Sequence, residues 1–250
     1  MKVLWFTVAY DQNYQALTQQ MVNSFKKFHP KEELKVFGMN EIQALLPHPA
    51  YQWQMSLTPL FLQKLMPEYD CIVRLDGDMI ILGDLSHVTE GDFDVAVAQN
   101  SSPYDWKNHM RMTGQRLSVH DVDPLDYVNC GFVVVKSNRF AQHWWRLVNA
   151  PFFTNYPFRE QDMLNILTRY FPYNVKYLDK SNKWHGMIAK GYTAKTTMKD
   201  GRVILPKSDW PTDEDKELVC YHYGGGAGVK GKYRLLFPED VADHISKLIK

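Results

Sequence analysis

The chain has 250 residues, 45% hydrophobic and 23% charged, which places it with soluble globular proteins of one large domain or two small ones. A net charge of +1 excludes a global field that would gather nucleic acid or an acidic membrane. No apolar run approaches bilayer-spanning length, and the short apolar core near the start lacks the small-residue cleavage site of a signal peptide.

Residues 2–9 are expected to form a first buried strand, stopped by Asp11-Gln12-Asn13. Tyr14, Leu17, Met21, Phe25 and Phe28 then recur at helical spacing, predicting an amphipathic helix over 13–28 that Pro30 ends. Leu34 to Phe37 is a short second strand, so the chain opens with a βαβ unit and places Ala9-Tyr10-Asp11 at a strand's carboxyl end. Residues 39–67 read as helix broken by Pro47-His48-Pro49, with Thr58 as N-cap and Pro59 at the first helical position of the second piece.

Cys71-Ile72-Val73-Arg74-Leu75 then reads as a strand covered on both faces, and it runs into Asp76-Gly77-Asp78. Gly77 permits a tight reversal without side-chain crowding, so both carboxylates can converge just past the strand end. That is where open α/β sheets bind ligands. Two hard oxygen donors there suit Mg²⁺ or Mn²⁺, with water and a diphosphate completing the shell. The plainer reading is a turn capped by aspartates. Arg74 has no evident partner.

Leu82-Gly83-Asp84-Leu85 is a turn, and Phe93 to Ala98 a further strand. Residues 99–127 show no period and have the character of a functional loop. Tyr127 to Val135 is a strand with a polar Asn129 inside it, which must be satisfied if buried and can orient a ligand. Phe140, Trp144, Leu147 and Val148 mark the next helix. Pro157 opens another, with Met163, Ile166, Leu167 and Tyr170 on one face and Glu160-Gln161-Asp162 near its start. Acids at that position often only complement the helix dipole.

Residues 174–178 are a strand, and 183–215 are irregular and polar apart from Val203-Ile204-Leu205. Leu218 to Tyr221 is a late strand that delivers His222. A neutral imidazole is a good Mn²⁺ ligand and a poorer one for Mg²⁺, although a lone histidine is usually just hydrogen-bonded. Four glycines follow in Gly224–Gly228, Gly225 among them, where backbone N–H groups can approach a phosphate, and Lys230 and Lys232 can neutralise it. A flexible loop with solvated lysines is the alternative. A final helix runs from about Pro238, with Val241, Ile245 and Leu248 inward. The three cysteines (Cys71, Cys130, Cys220) sit in apolar stretches without a CxxC pair, which points to buried reduced thiols and a cytoplasmic setting. No linker or repeat divides the chain, so one domain is expected.

In this order the motifs resemble the GT-A glycosyltransferases, and most of all family 8, the glycogenin and lipopolysaccharide galactosyl- and glucosyltransferase type. They are Ala9-Tyr10-Asp11, Arg74-Leu75-Asp76-Gly77-Asp78, Asn129-Cys130-Gly131-Phe132, Glu160-Gln161-Asp162-Met163-Leu164-Asn165, Tyr177-Leu178 with Trp184, and His222-Tyr223-Gly224-Gly225. The resemblance spans residues 1–235 and implies a Rossmann-like mixed central sheet flanked by helices. It implies a nucleotide-binding half over 1–98 ending in the DxD and a donor-sugar and acceptor half over 99–235, and the C-terminal helix over 236–250 completes the single domain.

By resemblance, Asp76, Asp78 and His222 hold Mn²⁺ (or Mg²⁺) on a nucleotide diphosphate. Thr7, Ala9, Tyr10 and Asp11 hold the base and ribose. Asn129, Glu160, Gln161 and Asp162 face the donor sugar, with Gln161 against the anomeric centre. The implied reaction moves a hexose from a UDP-linked donor, UDP-glucose or UDP-galactose, to a glycan or other hydroxyl, with retention.

The chain departs from the family pattern in three places. The lysines after His222 stand in a different register, Ser56-Leu57-Thr58-Pro59 replaces an arginine-bearing helix start, and His185 replaces an asparagine after Trp184. Two other readings compete: a Mg²⁺-dependent phosphohydrolase using Asp76 and Asp78, and a non-catalytic nucleotide-sugar-binding protein. For an acceptor, Trp106, Trp144, Trp145, Trp184 and Trp210 are candidate stacking faces.

Overall fold

The structure is a computed structural model, and it describes residues 1–9, 12–45, 57–100, 127–150, 160–188, 190–207, 214–222 and 233–250. In chain order the first described strands are β1 (Val3–Val8), β2 (Leu34–Phe37), β3 (Cys71–Leu75), β4 (Met79–Ile81), β5 (Val95–Gln99) and β6 (Val128–Val135). Then come β7 (Val175–Tyr177), β8 (Lys183–Trp184), β9 (Thr197–Lys199), β10 (Arg202–Leu205), β11 (Lys216–Leu218) and β12 (Cys220–His222). The helices are α1 (Gln12–Phe28), α2 (Met39–Leu45), α3 (Leu57–Leu65), α4 (Asn138–Val148), α5 (Glu160–Tyr170), α6 (Lys190–Thr193), α7 (Tyr233–Leu236) and α8 (Glu239–Leu248).

Six strands make the central sheet in the order β2-β1-β3-β6-β5-β7. β1 runs parallel to β2 and β3, and β5 parallel to β7, while β6 is antiparallel to both of its neighbours. The carboxyl ends of β1, β3 and β5 therefore share one edge with the amino end of β6. Alternation along the strands sends side chains to two covered faces. Leu4, Phe6, Ile72, Val95, Val133 and Val135 pack with Phe61 of α3, Trp144 of α4 and Leu164 of α5. Trp5, Val73, Leu75, Ala96 and Val134 pack on the other face with Met21 and Phe25 of α1. Among the described residues, no helix is long and apolar enough to cross a membrane.

Three expectations about elements are corrected. Residues 183–215 are not simply irregular: β8, β9 and β10 join β11 in a second sheet, in the order β8-β11-β10-β9, and α8 packs over it with Val241, Ala242 and Ile245. The β9–β10 hairpin pairs Lys199 with Arg202 across Asp200 and Gly201, whose φ values of 50° and 76° are those of a primed two-residue turn. The late strand is two strands, β11 and β12, and β12 pairs antiparallel with β4 so that His222 lies opposite Met79. Thr58 is not an N-cap. It lies inside α3, and both its backbone N–H and its hydroxyl donate to the carboxylate of Glu160, at 3.2 and 2.9 Å.

A buried polar chain ties the second sheet to the first. Asp179, in the 3-10 turn after β7, accepts from the backbone N–H of Gln99 (2.6 Å), Gly186 (3.2 Å) and His185. Its Oδ1 also lies 3.2 Å from His185 Nδ1, and His185 Nε2 lies 2.8 Å from His87 Nε2. The carboxylate takes a proton donor at Nδ1, so His185 accepts at Nε2 and His87 donates there. His87 Nδ1 then faces Lys183 Nζ at 3.4 Å. His185 is fully buried, in the position where the family pattern has asparagine.

Candidate functional site

β3 ends at Leu75, and the next three residues carry the chain round into β4. Because β12 pairs with β4, His222 is delivered beside the turn. Its Nε2 stands 3.0 Å from Asp78 Oδ1 and 3.3 Å from Asp76 Oδ2. Asp76, Asp78 and His222 thus each aim one ligand atom into a common space, all within 4.8 Å of one another. Asp78 Oδ1 is buried yet receives no hydrogen bond of good geometry, and His222 Nδ1 is likewise unpartnered among the described residues. A buried carboxylate oxygen left without a donor is costly. A divalent cation would resolve it, and two carboxylates with an imidazole suit Mn²⁺. The donor set therefore fits the metal that the resemblance implies.

The electrostatics of the cluster are strongly coupled. Burial alone would lower the His222 pKa, but Asp78 and Asp76 outweigh it and push the imidazole up to about 10. Burial alone would raise Asp76, but the Arg74 guanidinium, with His222, holds that carboxyl well below the usual carboxylate range. The partner of Arg74 is thus the first aspartate of the motif itself. Arg74 Nη2 donates to Asp76 Oδ1 at 2.6 Å, and Nη1 donates to the Cys130 carbonyl at 2.8 Å.

Two glycines owe their identity to close approach. A Cβ on Gly131 of β6 would fall 2.4 Å from His222 Cε1, 2.6 Å from Asn129 Oδ1 and 2.7 Å from Asp76 Oδ2. A Cβ on Gly77 would fall 2.3 Å from Thr18 Oγ1 of α1 and 3.4 Å from the Val8 carbonyl oxygen. Gly77 is therefore required by the helix packed on the turn, and not by a left-handed backbone at the turn itself.

A second group lies where β6 meets α5. Glu160, Gln161 and Asp162 are all buried, so they are not merely solvated acids complementing a helix dipole. Gln161 Oε1 accepts from Asn129 Nδ2 (3.1 Å) and the Cys130 N–H (3.3 Å), and its Nε2 donates to the Tyr127 hydroxyl (3.2 Å). Tyr127 in turn donates to Asp162 Oδ1 at 3.2 Å. The backbone donor at Cys130 fixes which way the Gln161 amide points. Asn129 Oδ1 accepts from the Gly131 N–H at 2.7 Å, so both ends of its amide are used within the protein. Burial pushes the Glu160 carboxyl up, an effect partly offset by Arg74 and Thr58.

The remaining expected residues divide into two sets. Thr7 is buried near the end of β1 with its hydroxyl unpartnered among the described residues, and Ala9 is buried with its N–H donating to the Phe37 carbonyl at 2.9 Å. Tyr10, Asp11, Gly225, Lys230 and Lys232 lie outside the described residues, as do Trp106, Trp210 and most of the irregular stretch 99–127. Trp144 and Trp184 are core side chains and offer no stacking face. Of the thiols, Cys71 and Cys220 are buried as expected, whereas Cys130 is half-buried. Tyr127 is a site residue that sequence reasoning passed over, while Gly131 stands in the Asn129-Cys130-Gly131-Phe132 motif without a role of its own. Tyr127 reads as an apolar residue leading into the strand, so no sequence signal marks its hydroxyl.

Residues 2–204 match the model of glycosyl transferase family 8. Among solved structures, galactosyltransferase LgtC in complex with donor and acceptor sugar analogues superposes with a TM-score of 0.63 at 15% identity, covering 99% of this chain and 95% of that one. The bifunctional glycosyltransferase WbbM gives a TM-score of 0.59 at 13% identity, over 99% of this chain and 52% of that one. A glycosyltransferase involved in glycosylation of the major capsid of PBCV-1 gives 0.55 at 10% identity, over 99% of this chain and 100% of that one. No curated protein matches the sequence. At these identities the likeness shows the fold, a GT-A mixed sheet flanked by helices.

Proposed function

The chain belongs to glycosyl transferase family 8 and is a glycosyltransferase, and from that premise we propose that it moves a hexose from a UDP-linked donor, UDP-glucose or UDP-galactose, to a glycan or other hydroxyl acceptor. The proposed reaction is Mn²⁺-dependent and retains the anomeric configuration. Family membership displaces the phosphohydrolase and non-catalytic readings.

The observation that carries the proposal is the convergence of Asp76, Asp78 and His222, whose ligand atoms all lie within 4.8 Å of one another. In this reading those three residues hold the cation, which stabilises the negative charge that builds on the leaving diphosphate. Thr7, Ala9, Tyr10 and Asp11 take the base and ribose, and Gly77 brings the turn close to the phosphates. Gly225 lets a backbone N–H approach the diphosphate, and Lys230 and Lys232 neutralise it. Residues 1–98 form the nucleotide half, 99–235 the sugar and acceptor half, and 236–250 the closing helix.

Gln161 faces the anomeric centre, flanked by Asn129, Glu160 and Asp162. An amide is a poor nucleophile, so the chemistry favours front-face attack over a glycosyl-enzyme intermediate. In that route the leaving phosphate oxygen takes the proton of the acceptor hydroxyl. The role left to Gln161 is placement, and its fixed amide orientation, set by Asn129, the Cys130 N–H and Tyr127, supports that role.

Calorimetry of UDP binding tests the site. The wild type is expected to bind UDP only with Mn²⁺ present, and Asp78→Ala is expected to lose that binding. Metal-dependent UDP binding that survives in Asp78→Ala removes the proposed site.

A further inference from the structure

Arg74 places a full positive charge inside the strand that delivers the two carboxylates, with its side chain 9% exposed. It grips Asp76 Oδ1 at 2.6 Å and the Cys130 carbonyl at 2.8 Å, and its Nε has no partner among the described residues. The other oxygen of the same carboxylate, Oδ2, faces His222 at 3.3 Å. One oxygen of Asp76 is thus committed to a permanent cation and one is left for the cluster. Glu160 also feels this charge, but burial favours its neutral form and its oxygens point to the N–H and hydroxyl of Thr58.

The charge count has a consequence for binding. Asp76 and Asp78 together match a divalent cation, and Arg74 cancels one of those charges from hydrogen-bond distance. A cation held by the protein alone stays under-compensated, whereas a diphosphate supplies the missing negative charge.

We propose that Arg74 is a positioning residue that ties metal binding to the nucleotide. It restricts Asp76 to one free oxygen and leaves the protein's own ligand set one charge short, so that the cation binds weakly alone and tightly together with a nucleoside diphosphate. The proposal rests on the metal–diphosphate reading above.

The test titrates Mn²⁺ into the protein and follows free Mn²⁺ by electron paramagnetic resonance, with and without UDP. The wild type is expected to bind weakly alone and to gain strongly from UDP. Arg74→Gln is expected to bind Mn²⁺ alone about tenfold or more tightly and to gain less from UDP. Arg74→Lys keeps the charge and is expected to keep the wild-type coupling. If Arg74→Gln does not fold, Arg74→Met combined with Glu160→Gln removes the cation together with the buried acid beside it and carries the same expectation. Unchanged or weaker affinity for Mn²⁺ alone in a folded charge-free variant overturns the proposal, as does loss of coupling in Arg74→Lys. Absence of Mn²⁺ binding to the wild type even with UDP is a different result, which overturns the metal–diphosphate reading as a whole.

Discussion

At the scale of single residues, the site is set by atoms that are missing as much as by those present. Gly77 faces Thr18 Oγ1 at a distance that admits no Cβ, and the Thr18 Cβ, 3.4 Å away, stays in place whichever way the hydroxyl turns. Gly77→Ala is therefore expected to lose about 1–3 kcal/mol of stability by overpacking. Adding Thr18→Ala removes the colliding hydroxyl and is expected to recover most of that loss. A double-mutant cycle by denaturant unfolding measures the coupling, and additive effects would show that the two residues do not meet. The aspartates and the histidine could be read from the sequence because each stands at the end of an apolar run. The partner of Arg74 was legible too, since Asp76 stands two residues on and strand residues i and i+2 share a face, but the motif reading gives that carboxylate to the cation. Tyr127 was hidden by its own apolarity: it looked like strand core until its hydroxyl was found between Gln161 and Asp162.

At the scale of elements, the chain from Lys183 through His87 and His185 to Asp179 gives a pH signature. Burial, with His185 and Lys183 close by, lowers His87 to about 4. The folded pKa lies below that of an unfolded histidine, so between the two the unfolded chain binds more protons. The contribution of His87 is therefore complete above about pH 6.5 and is lost as pH falls toward 4. Denaturant unfolding of wild type and His87→Gln at neutral pH and at mildly acidic pH checks this. The wild type is expected to lose more stability on acidification than the variant, and equal losses contradict the assignment. The helices and central strands were legible because their periods of 3.6 and 2 run for several residues. The second sheet was not, because its strands are two to four residues long and their inward residues come from separated segments. One local signal was available there: Asp200-Gly201 is a hairpin dipeptide, and it marks the β9–β10 turn.

At the scale of the whole molecule, the order of the motifs carried more information than any one of them. A DxD alone is a common turn, and a lone histidine is usually structural. They acquire a joint meaning because β12 pairs with β4, which brings His222 back to the turn between β3 and β4. That pairing joins distant parts of the chain, so a strand ending in His222 offers the same sheet edge, and the ordered resemblance adds the shared ion, but neither names β4 as the partner strand. The central claim is metal-dependent transfer from a UDP-linked hexose. Its most direct test is UDP release from a panel of nucleotide sugars, measured with Mn²⁺ and again with EDTA. The account predicts release from UDP-glucose or UDP-galactose that requires Mn²⁺, stops with EDTA and is absent in Asp78→Ala. Equal release in EDTA, or no release from any nucleotide sugar with Mn²⁺, would contradict it.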